Sequence, residues 1–137
     1  MMDATAAEDE KESVIELPPG IRLKWSPWYK WGDIKSDARS SGISIPSGER
    51  GVYEARHEHE PSRLTIGKAS DLRQRIRQGL VKGKIPHSSG ARIRGAENTE
   101  TILVRWAETD RPAAVEEELH RQHRQRYGRL PKYTSHT

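Results

Sequence analysis

The sequence predicts a small α/β fold of the α+β kind, an antiparallel three-stranded sheet flanked by helices. Three observations predict it. Apolar residues alternate with polar ones over 51–56, 63–67 and 100–106, the period of half-buried strands. They recur at helical spacing over 70–80 and 112–127. The chain has 137 residues, of which 32% are hydrophobic and none is Phe, so it can bury one thin core and has room for one domain.

In chain order, residues 1–20 read as an acidic disordered tail, without sustained periodicity and closed by Pro18-Pro19-Gly20. Residues 21–49 form an aromatic-rich N-terminal extension packed on the domain. Trp25, Trp28, Tyr29 and Trp31 gather around Pro27 there. Such a cluster can stack on bases, but a chain this poor in apolar residues needs it for packing. The main domain occupies 50–137. In its first strand Tyr53 and Ala55 share a face and Val52 takes the other. A polar break at 57–62 suits a hairpin loop, with His57 and His59 expected in solvent. The return strand carries Leu64 and Ile66 on one face and Thr65 on the other. Ser70 can cap a helix beginning at Asp71, whose charge suits a helix N-terminus. The stripe Leu72, Ile76, Leu80 leaves Arg75 at its edge. Residues 82–98 read as a basic loop with a short helix. In the third strand Ile102, Val104 and Trp106 share a face. Pro112 suits the first turn of the last helix, which ends before Gly128 and Pro131.

Charge is unevenly spread. Residues 1–16 hold six acids against Lys11, a net of −5; with +4 overall, +9 remains for the rest of the chain. A basic body fits a polyanionic partner, because attraction to phosphate is summed over many Lys and Arg; it fits a solvated surface about as well. There is no cysteine, so disulfides, thiolate metal sites and thiol nucleophiles are excluded. No apolar run approaches the roughly 18 residues of a membrane helix, and the acidic N-terminus lacks the apolar segment of a signal peptide. The expectation is an intracellular, cytoplasmic chain with no membrane partner.

Gly51-Val52-Tyr53, followed after the predicted hairpin by Thr65-Ile66-Gly67, resembles the two halves of the signature of the GIY-YIG nuclease superfamily, with Thr65 where the second tyrosine stands. Residues 68–76 resemble that family's strand-to-helix junction and put its arginine at Arg75. Residues 114–120 resemble the helix that supplies its metal-binding glutamate, and Leu119 selects Glu116 from three consecutive acids. Near the C-terminus Thr134 falls where many relatives carry an asparagine. The resemblance covers roughly residues 50–134. It implies a metal-dependent endonuclease that hydrolyses DNA phosphodiesters with Mg²⁺ or Mn²⁺ bound at Glu116. Tyr53, Arg75 and Glu116 would be catalytic, with Lys68 beside them. His87 is either a plain loop histidine or, as in some such nucleases, a group near the site. Lys68, Arg73, Arg77, Lys82, Lys84 and Arg92 are the candidates for DNA contacts.

The chemistry suits these residue types on its own terms. Phosphodiester hydrolysis needs an activated water, a counter-charge for the pentacovalent oxyanion and help for the leaving alkoxide. Glu116 can hold a hard divalent ion, and the planar fork of Arg75 matches phosphate oxygens. Tyr53 can orient the water or accept its proton, provided a nearby cation lowers its pKa from about 10. At about 100° per residue, Glu116 borders the buried edge formed by Val115 and Leu119 and shares a polar stripe with His120, His123 and Tyr127. A zinc site from Glu116, His120 and His123 is a rival reading of that stripe, as is a plain solvated face. A further alternative is a non-catalytic DNA-binding module or partner subunit on the same scaffold. No separate recognition domain is visible, so specificity would come from loops, residues 21–49 or a protein partner.

Overall fold

The structure, a computed structural model, describes residues 13–36 and 42–134. In order they form β1 (Val14–Leu17), β2 (Ile21–Lys24), β3 (Tyr29–Lys30), α1 (Trp31–Ser36), β4 (Gly51–His57), β5 (Thr65–Ala69), α2 (Gln74–Val81), α3 (Ser88–Ala96), a 3-10 turn (Thr99–Thr101), β6 (Ile102–Glu108) and α4 (Pro112–Tyr127). The main sheet is antiparallel with strand order β3-β6-β4-β5, and β1 and β2 make a separate hairpin. The chain is thus a mixed α/β structure. Its β4 is paired on both sides, with Tyr53 opposite Gly67 of β5 and Trp106 of β6.

Residues facing each other across antiparallel strands share a sheet face. The register therefore puts Tyr53, Ala55, Thr65, Val104 and Trp106 on one face, and Val52, Glu54, Ile66, Arg105 and Ala107 on the other. The first face is buried with Trp31 and Ile34 of α1, Ile76 and Leu80 of α2 and Ile93 of α3. The second packs on Val115 and Leu119 of α4 and on Leu17 and Leu23 of the hairpin. A sheet covered on both faces accounts for the short apolar inventory: two thin cores share one layer of strands.

Several expectations need correction. The sheet has four strands, because Tyr29 and Lys30 pair with Val104 and Leu103 and so turn part of the aromatic extension into an edge strand. The acidic tail is shorter than 1–20: Val14–Leu17 is a strand, held because Leu17 and Leu23 reach the second core. Residues 1–12 of that expected tail lie outside the described residues. The return strand begins at Thr65, and Leu64 precedes it and joins the Tyr53 side instead of sharing a face with Ile66. Asp71, not Ser70, reaches a helical amide, its carboxylate accepting from Gln74 N–H at 3.2 Å. The helix that follows is π-wound, Lys82 N–H bonding Arg77 C=O five residues back. His57 is not a solvent residue; it bonds Thr101 at 2.8 Å and Glu97 at 2.7 Å. His59 is exposed as expected, and α4 keeps its expected ends, closed by Gly128 at φ 75°.

Candidate active site at the sheet edge

Tyr53 and Gly67 face each other on the outermost strand pair. A Cβ on Gly67 would stand 2.3 Å from the Tyr53 phenol oxygen and 2.4 Å from its Cζ. The missing side chain at 67 is what lets the ring lie flat across β5 and carry its hydroxyl to the sheet edge. Tyr53 is only 2% exposed.

Two donors converge on that hydroxyl. His87 Nε2 lies 2.7 Å from it. His87 is the N-cap of α3, and its Nδ1 accepts from Gly90 N–H at 2.9 Å. Burial first, then the positive charges of Arg75 and Arg94, push its pKa down to about 4, so the ring is neutral near pH 7. A neutral imidazole whose Nδ1 is an acceptor carries its proton on Nε2. His87 therefore donates to Tyr53. Gly79 of α2 makes room for the ring, since a Cβ there would meet His87 Cδ2 at 3.1 Å. The second donor is the Arg75 guanidinium, which also hydrogen-bonds the phenol. Burial raises the phenol pKa most; the Arg75 charge and hydrogen bond oppose that, and the Glu116 carboxylate adds to it.

Glu116 comes from the opposite side of the sheet edge. Its helix lies along β5, where His120 Nε2–H donates to Ile66 C=O at 3.0 Å and so satisfies a carbonyl of the edge strand. Of the three consecutive acids Glu116 is the buried one; Glu117 is exposed and Glu118 bonds Arg121 and Gln122. Two grooves meet here. One, of about 710 Å³, is lined by Lys68, Ser70 and Arg75. The other, of about 370 Å³, is lined by Lys68, Glu116 and His120. They join at Lys68 and Ala113, which line both. Tyr53 lines neither; Arg75, which bonds its phenol, lines the first.

Of the residues at the grooves Glu116 is the one that could hold a hard cation, one that keeps most of its waters as Mg²⁺ does; among the described residues no group of three His, Asp or Glu stands together as a metal site. The rival zinc reading fails on His123: its Nε2 accepts from Arg63 N–H at 2.9 Å and its Nδ1 donates to Arg129 C=O at 2.7 Å, so neither nitrogen is left for a metal.

The other sheet face carries a different polar cluster. Glu54 is 3% exposed and pairs with Arg105 at 2.5 Å and Arg63 at 3.1 Å. Trp28 lies under the guanidiniums of Arg56, Arg63 and Arg105, and Trp25 under that of Arg105. The tryptophans are thus packing partners, as composition required, and not a base-stacking platform.

Sequence reasoning brought Tyr53, Arg75, Glu116, Lys68 and His87 to this edge. Of the six candidates for DNA contacts, only Lys68 lines the two grooves. Arg73 bonds Ile45 C=O at 2.8 Å and Arg92 lies 5.2 Å above the Tyr133 ring; Arg77, Lys82 and Lys84 line neither groove. Arg50, Arg121 and Arg124 do, and sequence missed them because only the folded chain brings residue 50 beside the helix at 112. Tyr133 gives its hydroxyl to Glu97 at 2.5 Å. Thr134 Oγ1 is buried without a partner. Among the described residues no helix is long and apolar enough to cross a membrane. No family model matches the chain, and no characterised protein or solved structure matches it either.

Proposed function

We propose that the chain is a metal-dependent endonuclease of the GIY-YIG type that hydrolyses DNA phosphodiesters. The observation that carries this reading is the convergence of Tyr53, Arg75 and Glu116, from β4, α2 and α4, at one sheet edge beside Lys68. The phenol oxygen has two lone pairs, and His87 Nε2–H and Arg75 occupy both. Its own proton must then point in a third direction, where it can bond a water or a phosphate oxygen. A phosphate in the groove competes for Arg75, drawing the guanidinium onto a non-bridging oxygen and uncovering the phenol. Burial and the Glu116 carboxylate keep the phenol protonated, so Tyr53, held by His87, acts through its O–H, orienting the attacking water or a phosphate oxygen. A divalent ion on Glu116 would supply positive charge to the phosphate and cancel the carboxylate's repulsion of it. DNA has no 2′-hydroxyl to serve as an internal nucleophile, so its hydrolysis must bring in water, which is what this set of groups can orient.

The alternative, a DNA-binding module that does not cut, is favoured by one observation: Thr65 brings no second phenol to the site. Cleavage of supercoiled plasmid with Mg²⁺ or Mn²⁺ separates the two. The wild type should nick or linearise the plasmid and Glu116→Gln should not, while both bind it. Equal cutting by the two proteins would remove Glu116 from the chemistry.

A further inference from the structure

We infer that the substrate is a DNA duplex held by its backbone, without regard to sequence, in one trough that crosses the site. This rests on the nuclease reading above and adds the form of DNA it takes. The two grooves at the sheet edge are part of a longer feature. A third, of about 710 Å³, continues the Arg75 groove through Gly48 and Arg50, which line both, and runs to the β1–β2 turn and the end of β6. Shared lining residues make the three continuous, from Arg22 and Arg111 at one end to Arg124 on α4 at the other.

A cation stands in each part of the trough, and one marks each junction, Arg50 at the first and Lys68 at the second. Along α4 alone, the eleven residue steps from Ala113 to Arg124 span about 16 Å at about 1.5 Å per residue, or about five base steps at about 3.4 Å. The third groove also holds Glu49, Glu108 and Asp110, and the groove along α4 holds Glu116 and Glu117, so the grip is strongest in the middle groove, where Arg50, Lys68 and Arg75 meet no acid.

The chemistry of the lining selects the form of nucleic acid. Among the described residues none that lines the trough is Trp or Tyr. Single strands are held by stacking bases on aromatic rings, and the tryptophans here are spent on packing. None is Asn or Gln either, the amides that read adenine edges. The trough's Arg and Lys can read guanine edges where they enter the major groove; on phosphates, the use proposed here, they position a duplex and carry no sequence information.

The test uses the full chain with chelator present and measures anisotropy of a short labelled duplex, of either of its strands, and of the matching RNA duplex, across a salt series. The DNA duplex should bind at least about 10-fold tighter than either strand, and duplexes of scrambled sequence should bind alike. Arg50→Gln and Arg124→Gln should each lower the slope of log affinity against log salt by about 0.9. Lys35→Gln, on α1 outside the trough, should leave it unchanged. Tighter binding of a single strand or of the RNA duplex, a sequence preference, or an equal effect of Lys35→Gln overturns the proposal. Plasmid cutting by the same proteins keeps the two readings apart. Duplex binding as expected, with no metal-dependent cutting by the wild type, ends the nuclease reading and leaves the trough. Cutting that persists while both trough variants bind duplex like the wild type ends the trough and leaves the nuclease.

Discussion

Tyr53 and Glu54 are neighbours on β4, almost equally buried at 2% and 3% exposed, and the alternation of a strand sends them to opposite faces. Around Glu54 the charged partners are buried and line only a small cavity, of about 70 Å³. Arg63 and Arg105 side chains are each 6% exposed, and Trp25 and Trp28 cover their guanidiniums. Around Tyr53 the partners reach outward: Arg75 and Glu116 each line a larger groove, of about 710 and 370 Å³. A buried polar group whose partners meet only so small a cavity contributes to the fold. One whose partners also face an open groove can exchange them for a ligand. The difference between the two faces lies in where the second shell of charge ends, and not in burial.

The comparison breaks hardest at Glu54. Glu54→Gln leaves two buried arginines without their counter-charge, and removing one partner of such a cluster costs about 3–5 kcal/mol. Urea titration should show that loss. Glu116→Gln should stay within about 1 kcal/mol of wild type and lose metal-dependent cutting entirely. A Glu116→Gln protein as unstable as Glu54→Gln would move Glu116 to the structural side. Acid sharpens the same contrast. Burial raises the Glu54 pKa, but Arg105 and Arg63 outweigh it and hold the carboxyl at about 2 against an ordinary 4.5. The unfolded chain therefore takes up this proton first as pH falls. The stabilisation is full above about pH 4.5 and is lost between there and about pH 2, at most about 3 to 4 kcal/mol at about 1.4 kcal/mol per unit. In Glu54→Gln that part of the acid transition should disappear.

On the Tyr53 face the largest effect belongs to Arg75. It both covers the phenol and supplies charge for the phosphate in the proposed reaction, so Arg75→Ala should lower the cutting rate about 10²-fold or more, as loss of one oxyanion donor does. It should also raise the phenol pKa further, since Arg75 opposes the effect of burial. A spectrophotometric titration that leaves the phenol unmoved would separate Arg75 from Tyr53.

Much of this arrangement was legible in the sequence because it is written in local periods. The alternation around Tyr53 fixed its face, and the helical wheel picked Glu116 over Glu117 and Glu118. What was not legible depends on contacts between distant segments. The strand at Val14–Leu17 is held by a hairpin whose apolar residues only make sense once the second core exists. Tyr29 and Lys30 form a strand through pairing with β6, 74 residues or so away. The role of His87 was left open because histidine is not among the usual N-cap residues, so nothing local announced that its ring is fixed by Gly90. The basic residues of 73–92 looked like a DNA patch by composition, whereas the cations at the grooves come from four separate elements.

A smaller effect tests the variant signature position. Thr65 is 2% exposed, faces Ala55 across the strand pair and shares the sheet face of Tyr53. A tyrosine there has no free space to enter, so Thr65→Tyr should overpack the first core and cost about 1–3 kcal/mol, with activity falling alongside. Unchanged melting with a gain in cutting would mean the space stands open and the phenol is simply missing.

The smallest effect, and the sharpest for the Tyr53 face, is expected of His87→Asn. Asparagine is a good N-cap, and its Oδ1 stands where His87 Nδ1 stands, so the Gly90 N–H keeps its acceptor. It has no atom at the place of Nε2, so the 2.7 Å bond to Tyr53 is lost. Loss of one hydrogen bond of about 1 kcal/mol corresponds to roughly a 5-fold to 10-fold slower cut. The missing ring leaves a gap against Gly79, which should hold the stability cost to about 2 kcal/mol or less. The pH dependence identifies the role. The folded His87 pKa of about 4 lies below the ordinary 6.5, so as pH falls the unfolded chain is protonated first. The stabilisation is present above about pH 6.5 and lost as pH falls through about 4; His87→Asn should lack that slope. Neutral or protonated, His87 keeps its Nε2–H, so a donor gives a ratio of wild-type to variant rate that does not follow its titration. A general base would give a ratio that climbs with pH through about 4, where the ring loses its proton. That climb is the outcome that would turn His87 from the group that holds Tyr53 in place into one that takes its proton.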